Sequence, residues 1–166
     1  MIPNELLPDS LLVQAESLLA ACRARGKKIA TAESCTGGLI AAALTAIAGS
    51  SDVVERGYVT YSNEAKNECL GVPMALIGAH GAVSEEVARA MADGAIVQSH
   101  ADISVAVTGV AGPTGGSAEK PVGLVYFGIA RRGVPARSER HVFPGSRTAI
   151  RTATVAHAFA LIRNTL

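Results

Sequence analysis

The chain has 166 residues, 49% of them hydrophobic and 17% charged, with a formal net charge of +1. That length and apolar share suit one compact domain over residues 1–166, with a core large enough to need neither metal nor disulfide. So small a charge excludes the basic footprint of a protein that binds nucleic acid or an anionic membrane. In chain order, Asp9 or Ser10 is placed to cap a first helix whose apolar face is Leu11, Leu12, Ala15, Leu18, Leu19 and Cys22, with Gly26 ending it. A strand over 28–32 runs into the stretch Thr-Ala-Glu-Ser-Cys-Thr-Gly-Gly at 31–38, and an Ala-rich helix over 38–47 follows, stopping at Gly49. Residues 53–60, rich in β-branched and aromatic side chains, read as a second strand. Ser62 then caps a short helix closed by Gly71, Pro73 opens another, and Ser84-Glu85-Glu86 opens a longer one to about residue 98.

The second half supplies the rest of a sheet. Residues 102–108 alternate Ile103, Val105 and Val107 with small side chains, and they empty into a Gly-rich loop over 109–117 whose length marks it as functional. Strands over 122–130 and 136–143 form a hairpin through 131–135. Ser146 and Arg147 lead to a terminal helix that turns Ile150, Ala153, Ala156, Phe159 and Leu161 or Ile162 to the core. The expected fold is a three-layer α/β/α sandwich whose mixed, mostly parallel sheet carries an antiparallel hairpin. Cys22, Cys35 and Cys69 make no Cys-x-x-Cys pair, and His80, His100, His141 and His157 are isolated, which argues for reduced thiols and against a disulfide framework or a zinc site. No basic stretch precedes an apolar one in residues 1–5 and no apolar run reaches the ~20 residues of a membrane span, so a soluble cytoplasmic protein is expected.

Three polar clusters fall at strand ends: Glu33 to Thr36, Tyr61 to Lys66 and Thr108 to Gly116. In an open α/β sheet, ligands collect outside the carboxyl ends of the strands. The turn at 34–38 aims backbone N–H groups and a helix N-terminus at whatever lies above it, a setting for an anion or a developing oxyanion. Ser34, Cys35 and Thr36 are all at its mouth. Ser34 or Thr36 can equally be an N-cap, and a thiolate at Cys35 would be the stronger nucleophile. No histidine adjoins these clusters, which leaves Lys66 as the local base for a serine, provided burial lowers its pKa. Glu33 either pairs with Lys66 or caps local N–H groups, and Asn63 and Thr108 either bind substrate or satisfy turns.

Together with Gly-Tyr-Val-Thr-Tyr-Ser-Asn-Glu-Ala-Lys at 57–66, His-Gly-Ala-Val-Ser at 80–84, Gly-Val-Ala-Gly-Pro-Thr-Gly-Gly at 109–116, Lys-Pro-Val-Gly at 120–123 and Phe-Pro-Gly-Ser-Arg at 143–147, the stretch at 31–38 resembles the CinA C-terminal family. The match covers nearly the whole chain, from the first helix to the last, with its six motifs in the family's order. The resemblance is to the stand-alone form, the chain being too short to carry the nucleotide-pyrophosphatase domain that precedes this one in longer members. It implies hydrolysis of the carboxamide of nicotinamide mononucleotide to nicotinic acid mononucleotide and ammonia, in NAD salvage, without cofactor or metal. It also implies a homodimer. On this sequence it makes Ser34 the nucleophile, Lys66 its general base and Tyr61 an orienting or relaying group. Cys35, Thr36 and Gly37 would supply oxyanion N–H groups, and Gly109, Gly112 and Arg147, with Lys120 a weaker choice, would hold the phosphate. Two other readings remain: a non-catalytic nucleotide-sensing module associated with competence or DNA damage, and a dinucleotide-binding oxidoreductase. The oxidoreductase is disfavoured because the glycines at 109–116 lack the Gly-x-Gly-x-x-Gly spacing.

Overall fold

The computed structural model describes residues 6–166, so the reading of residues 1–5 lies outside the described residues. Helix α1 (Asp9–Ala24) buries Leu11, Ala15, Leu18, Leu19 and Cys22 at helical spacing, with Leu12 half-buried at the margin. Its N-cap is Pro8, and neither Asp9 nor Ser10 caps it; both belong to the first turn instead. Five strands follow among the helices: β1 (Ile29–Glu33), β2 (Val54–Val59), β3 (Ile103–Gly109), β4 (Leu124–Arg131) and β5 (Val134–Val142). They form one sheet in the order β2-β1-β3-β4-β5. β1 runs parallel to β2 and β3, whereas β4 is antiparallel to both β3 and β5, so four of the five strands point the same way.

Both faces of this sheet are covered. Helices α1, α2 (Leu39–Thr45) and α6 (Arg147–Thr165) share one apolar core with Ile29, Ile103, Val105, Val107 and Phe127. On the other face α3 (Asn63–Leu70), α4 (Met74–His80) and α5 (Glu85–Val97) meet Ala32, Ala106 and Ala130. Strand alternation explains the split, since Val105 and Val107 face one layer while Ala106 faces the other. Burial of β1 and β3 on both sides accounts for their nearly unbroken runs of buried residues. This is the three-layer α/β/α architecture expected from the alternating elements, with an antiparallel end.

Two local expectations need correction. The hairpin is closed by Arg132-Gly133 alone, because β5 begins at Val134 and takes Pro135 into the strand. Proline is tolerated there because β5 is an edge strand and has no second neighbour to receive its missing N–H. Helix α6 buries Thr154, Val155 and Ala158 with Ile150, Phe159, Leu161 and Ile162, leaving Ala153 and Ala156 only partly covered. It packs against α1 as well as the sheet, which turns its buried stripe, and Thr154 enters the core by donating its hydroxyl to Ile150 O at 2.7 Å.

Candidate active site

Because β2, β1 and β3 are parallel, their carboxyl ends bring Thr60, Ser34 and Val110 to one edge of the sheet. There a cleft of about 290 Å³ is lined by Ser34, Cys35, Tyr61, Gly109, Val110, Ala111, Gly112, Thr114, Gly115 and Arg147. After Glu33 the chain leaves β1 in a tight turn: Ser34 N–H donates to Val107 O and Gly37 N–H returns to Ser34 O, each at 3.0 Å. Gly37 and Gly38, at φ 60° and 102°, carry the chain through left-handed backbone into α2, where a side chain would be strained.

Glu33 controls this turn from beneath. Its carboxylate accepts from the Thr36 hydroxyl at 2.6 Å, from Ile40 N–H at 2.8 Å and from Ala41 N–H at 3.0 Å. The first N–H groups of α2 are thereby spent on a buried carboxylate rather than offered to a ligand, so the cap comes from Glu33, and neither Ser34 nor Thr36 is the N-cap, which is Gly38. Burial pushes the Glu33 pKa up, and the three donors pull against it. Gly37 N–H is also committed within the turn. Cys35 and Thr36 N–H remain without a partner among the described residues.

Lys66, on α3, is only 1% exposed. Ser62 caps that helix by accepting from Ala65 N–H at 3.0 Å, and Gly71 ends it in left-handed backbone. The Lys66 amine lies 3.1 Å from Ser34 Oγ, 2.8 Å from Thr60 O and 3.4 Å from Tyr61 O. Burial lowers its pKa from the ordinary 10.5, and Glu33 does not pair with it. The geometry fixes the direction of any proton transfer. A neutral amine has two N–H groups and one lone pair; two of its three neighbours are carbonyls that can only accept. The lone pair is therefore left for the Ser34 hydroxyl.

The thiol beside it has the opposite character. Burial holds Cys35 up at about 12, with the neighbouring Glu33 charge adding to the effect, so it stays protonated near neutral pH. The helix terminus that would lower it is occupied by Glu33. Tyr61, 63% exposed, accepts at its hydroxyl from Arg147 Nη2 at 3.3 Å; only its carbonyl reaches Lys66, and its ring does not. Arg147 Nη1 donates to Gly112 O at 2.8 Å, so this guanidinium ties α6 to the Gly-rich loop on one wall of the cleft. Thr108 donates to Ala82 O at 2.8 Å, a link to the turn before α5, and neither it nor Asn63 lines the cleft. Lys120 is away from the cleft, donating to His80 O at 2.8 Å.

Arg151 was not anticipated from sequence. One helical turn after Arg147, it donates to Cys35 O at 3.2 Å and to Thr36 O at 3.0 Å. A trans peptide sets N–H opposite C=O, so holding the Cys35 carbonyl on α6 turns Thr36 N–H away from that helix. The i, i+4 spacing of two arginines at a helix start was the available signal.

Comparison with known proteins adds to this geometry. The CinA C-terminal domain family model matches residues 13–166. The chain is 48% identical over 153 residues to nicotinamide-nucleotide amidohydrolase PncC of Escherichia coli K12, covering 92% of this chain and 93% of that one. It is 55% identical over 145 residues to a CinA-like protein of Mycolicibacterium paratuberculosis, where 85% of this chain spans a third of the longer one, 33%. Among solved structures, the competence/damage inducible protein CihA from Agrobacterium tumefaciens aligns with a TM-score of 0.91 and 47% identity, over 95% of this chain and 96% of that one.

Proposed function

The chain belongs to the CinA C-terminal domain family, and on that premise we propose that it is a nicotinamide-nucleotide amidohydrolase, converting nicotinamide mononucleotide to nicotinic acid mononucleotide and ammonia in NAD salvage. Support for the substrate comes from the likeness to the Escherichia coli amidohydrolase over nearly the full length of both chains. The observation that carries the chemistry is the contact of the buried Lys66 amine with Ser34 Oγ at 3.1 Å. A non-catalytic sensing module has no need of a lysine kept from solvent and directed at a hydroxyl.

Ser34 is the nucleophile and Lys66 the general base. As Oγ attacks the carboxamide carbon, its proton passes to the Lys66 lone pair, and the oxyanion that forms is met by Cys35 and Thr36 N–H. Collapse breaks the C–N bond; the departing amine takes the Lys66 proton and leaves as ammonia, and an ester remains on Ser34. Water then enters and gives a proton to Lys66 as it attacks the ester; collapse breaks the bond to Ser34 Oγ, which takes that proton back from Lys66, and the acid leaves with the serine and the neutral amine restored. The balance closes with water alone. Arg147, with the glycines of 109–116, is the seat for the nucleotide phosphate, where a fixed guanidinium on a helix start suits a dianion. Tyr61 positions that arginine rather than relaying the proton. In this reading the chain is one catalytic domain, acts in the cytoplasm as a homodimer, and binds a mononucleotide rather than nucleic acid.

Ammonia release from nicotinamide mononucleotide tests the assignment. Ser34→Ala and Lys66→Ala are each expected to abolish most turnover, and the double variant to cost little more than either, since the pair acts as a unit. Losses that multiply in the double variant would separate the two residues and sink the pair.

A further inference from the structure

Two of the histidines that stand apart in the sequence meet in space, away from the cleft. Glu139 and His141 are two residues apart on β5, and so on one face of the strand, while His157 is on α6 opposite them. Glu139 Oε2 lies 3.2 Å from His141 Nε2 and 2.9 Å from His157 Nε2, and the three atoms all fall within 4.8 Å of one another. Around an ion with ligands at about 2.0–2.1 Å, tetrahedral geometry sets neighbouring ligand atoms about 3.3–3.4 Å apart. The two measured separations are thus close to the edges such an ion needs.

The rings are also held. His141 stacks on Phe143 with centroids 5.6 Å apart, and Phe127 packs edge-on against His141 at 5.6 Å and against His157 at 4.6 Å. These three contacts from two phenylalanines restrict ring rotation, so the nitrogens are presented with less conformational freedom to lose on binding.

We propose that Glu139, His141 and His157 form a binding site for a first-row divalent transition ion, of which Zn²⁺ is the representative, with water completing the coordination. Two imidazoles and one carboxylate are donors suited to that class rather than to calcium or magnesium, which take oxygen ligands. Binding requires each histidine to carry its proton on Nδ1, freeing Nε2, and the carboxylate to turn from the two N–H groups to the metal. No net proton is lost if both rings are neutral. All three side chains remain partly exposed, between 25% and 40%, which gives the ion a path in and room for the water. His157 is ten residues along α6 from Arg147, about 15 Å of helix, so the ion would fasten the edge strand to the helix and take no part in the cleft.

The test is calorimetric titration of ZnCl₂ into the full chain after removal of adventitious metal, paired with the visible spectrum of the Co²⁺ form. One ion per chain is expected, with the intense absorption of a four- or five-coordinate cobalt site. His141→Ala, His157→Ala and Glu139→Gln should each weaken binding roughly tenfold or more, since even outer-shell changes cost that much. Cys69→Ser, which removes the exposed thiol that rivals this site, should leave it unchanged. His141→Gln with His157→Gln keeps much of the ring volume and guards against a variant that fails to fold. The proposal is overturned if one-to-one uptake persists in that double variant, or if the wild-type chain takes up no stoichiometric zinc.

Discussion

At Lys66 the decisive quantity is the protonation state. Its folded-state pKa is lowered by burial from 10.5, and the base must be neutral to act. With Lys66 as the proposed base, the rate constant for turnover is expected to rise with pH and level off below that ordinary value, and a rate that falls as pH rises toward 10 would remove Lys66 as the base. Stability carries the same sign: between the lowered value and 10.5 the unfolded chain binds more protons than the folded one, so folding is favoured as pH rises through that window. Lys66→Arg should lose roughly 10²–10⁴-fold in turnover although it keeps the charge, because a guanidinium does not deprotonate. Cys35→Ala should retain activity within about tenfold, as a thiol held protonated near neutral pH contributes little to a group-transfer step. Dead Cys35→Ala beside an active Ser34→Ala would reverse the roles. Ser34 and Lys66 could be singled out in the sequence because each belongs to a short polar cluster at a strand end, and Arg147 because it follows Ser146 at a helix start. The duty of Glu33 could not: whether it faces Lys66 or the first N–H groups of α2 depends on the exact turn of the chain, and Arg151 acts across a sequence gap of more than a hundred residues.

Among the elements, α5 is set by a close approach. A methyl group at Gly94 would fall well inside contact with the backbone oxygen of Leu70, at the end of α3. Helix propensity alone favours alanine there by about 1 kcal/mol. The clash wins, because a backbone carbonyl cannot rotate away as a side chain can; overpacking costs roughly 1–3 kcal/mol and here falls at the upper end. Gly94→Ala should lower the urea midpoint, and it should also reduce turnover, since the element displaced is the one that carries Lys66. An unchanged or raised midpoint would show that α3 can yield. Element types were legible throughout, from helical spacing in α1 and period-2 alternation in β3 to the Ser62, Ser84 and Ser146 caps. What escaped was set by neighbours: Pro135 looks like a breaker until β5 is known to be an edge, and the stripe of α6 shifts only because α1 lies beside it.

For the whole molecule, light scattering in solution should give about twice the 16.9 kDa of one chain, and a monomer mass across micromolar concentrations would withdraw the homodimer. No helix among the described residues is long and apolar enough to cross a membrane. The layered architecture was readable because each strand and helix fills its place in a simple alternation, whereas the cleft depends on how distant segments converge. Arg151 makes that dependence concrete. The turn that carries Ser34 has its carbonyls held by a helix that follows every other element in the chain. During synthesis, at about 5–20 residues per second, a nascent chain therefore presents serine and lysine well before the arginine that finishes the turn is available. Chains cut short before α6 are therefore expected to release no ammonia from nicotinamide mononucleotide even though they carry Ser34 and Lys66, and turnover by a chain ending before Arg147 would show that the turn is finished without that helix.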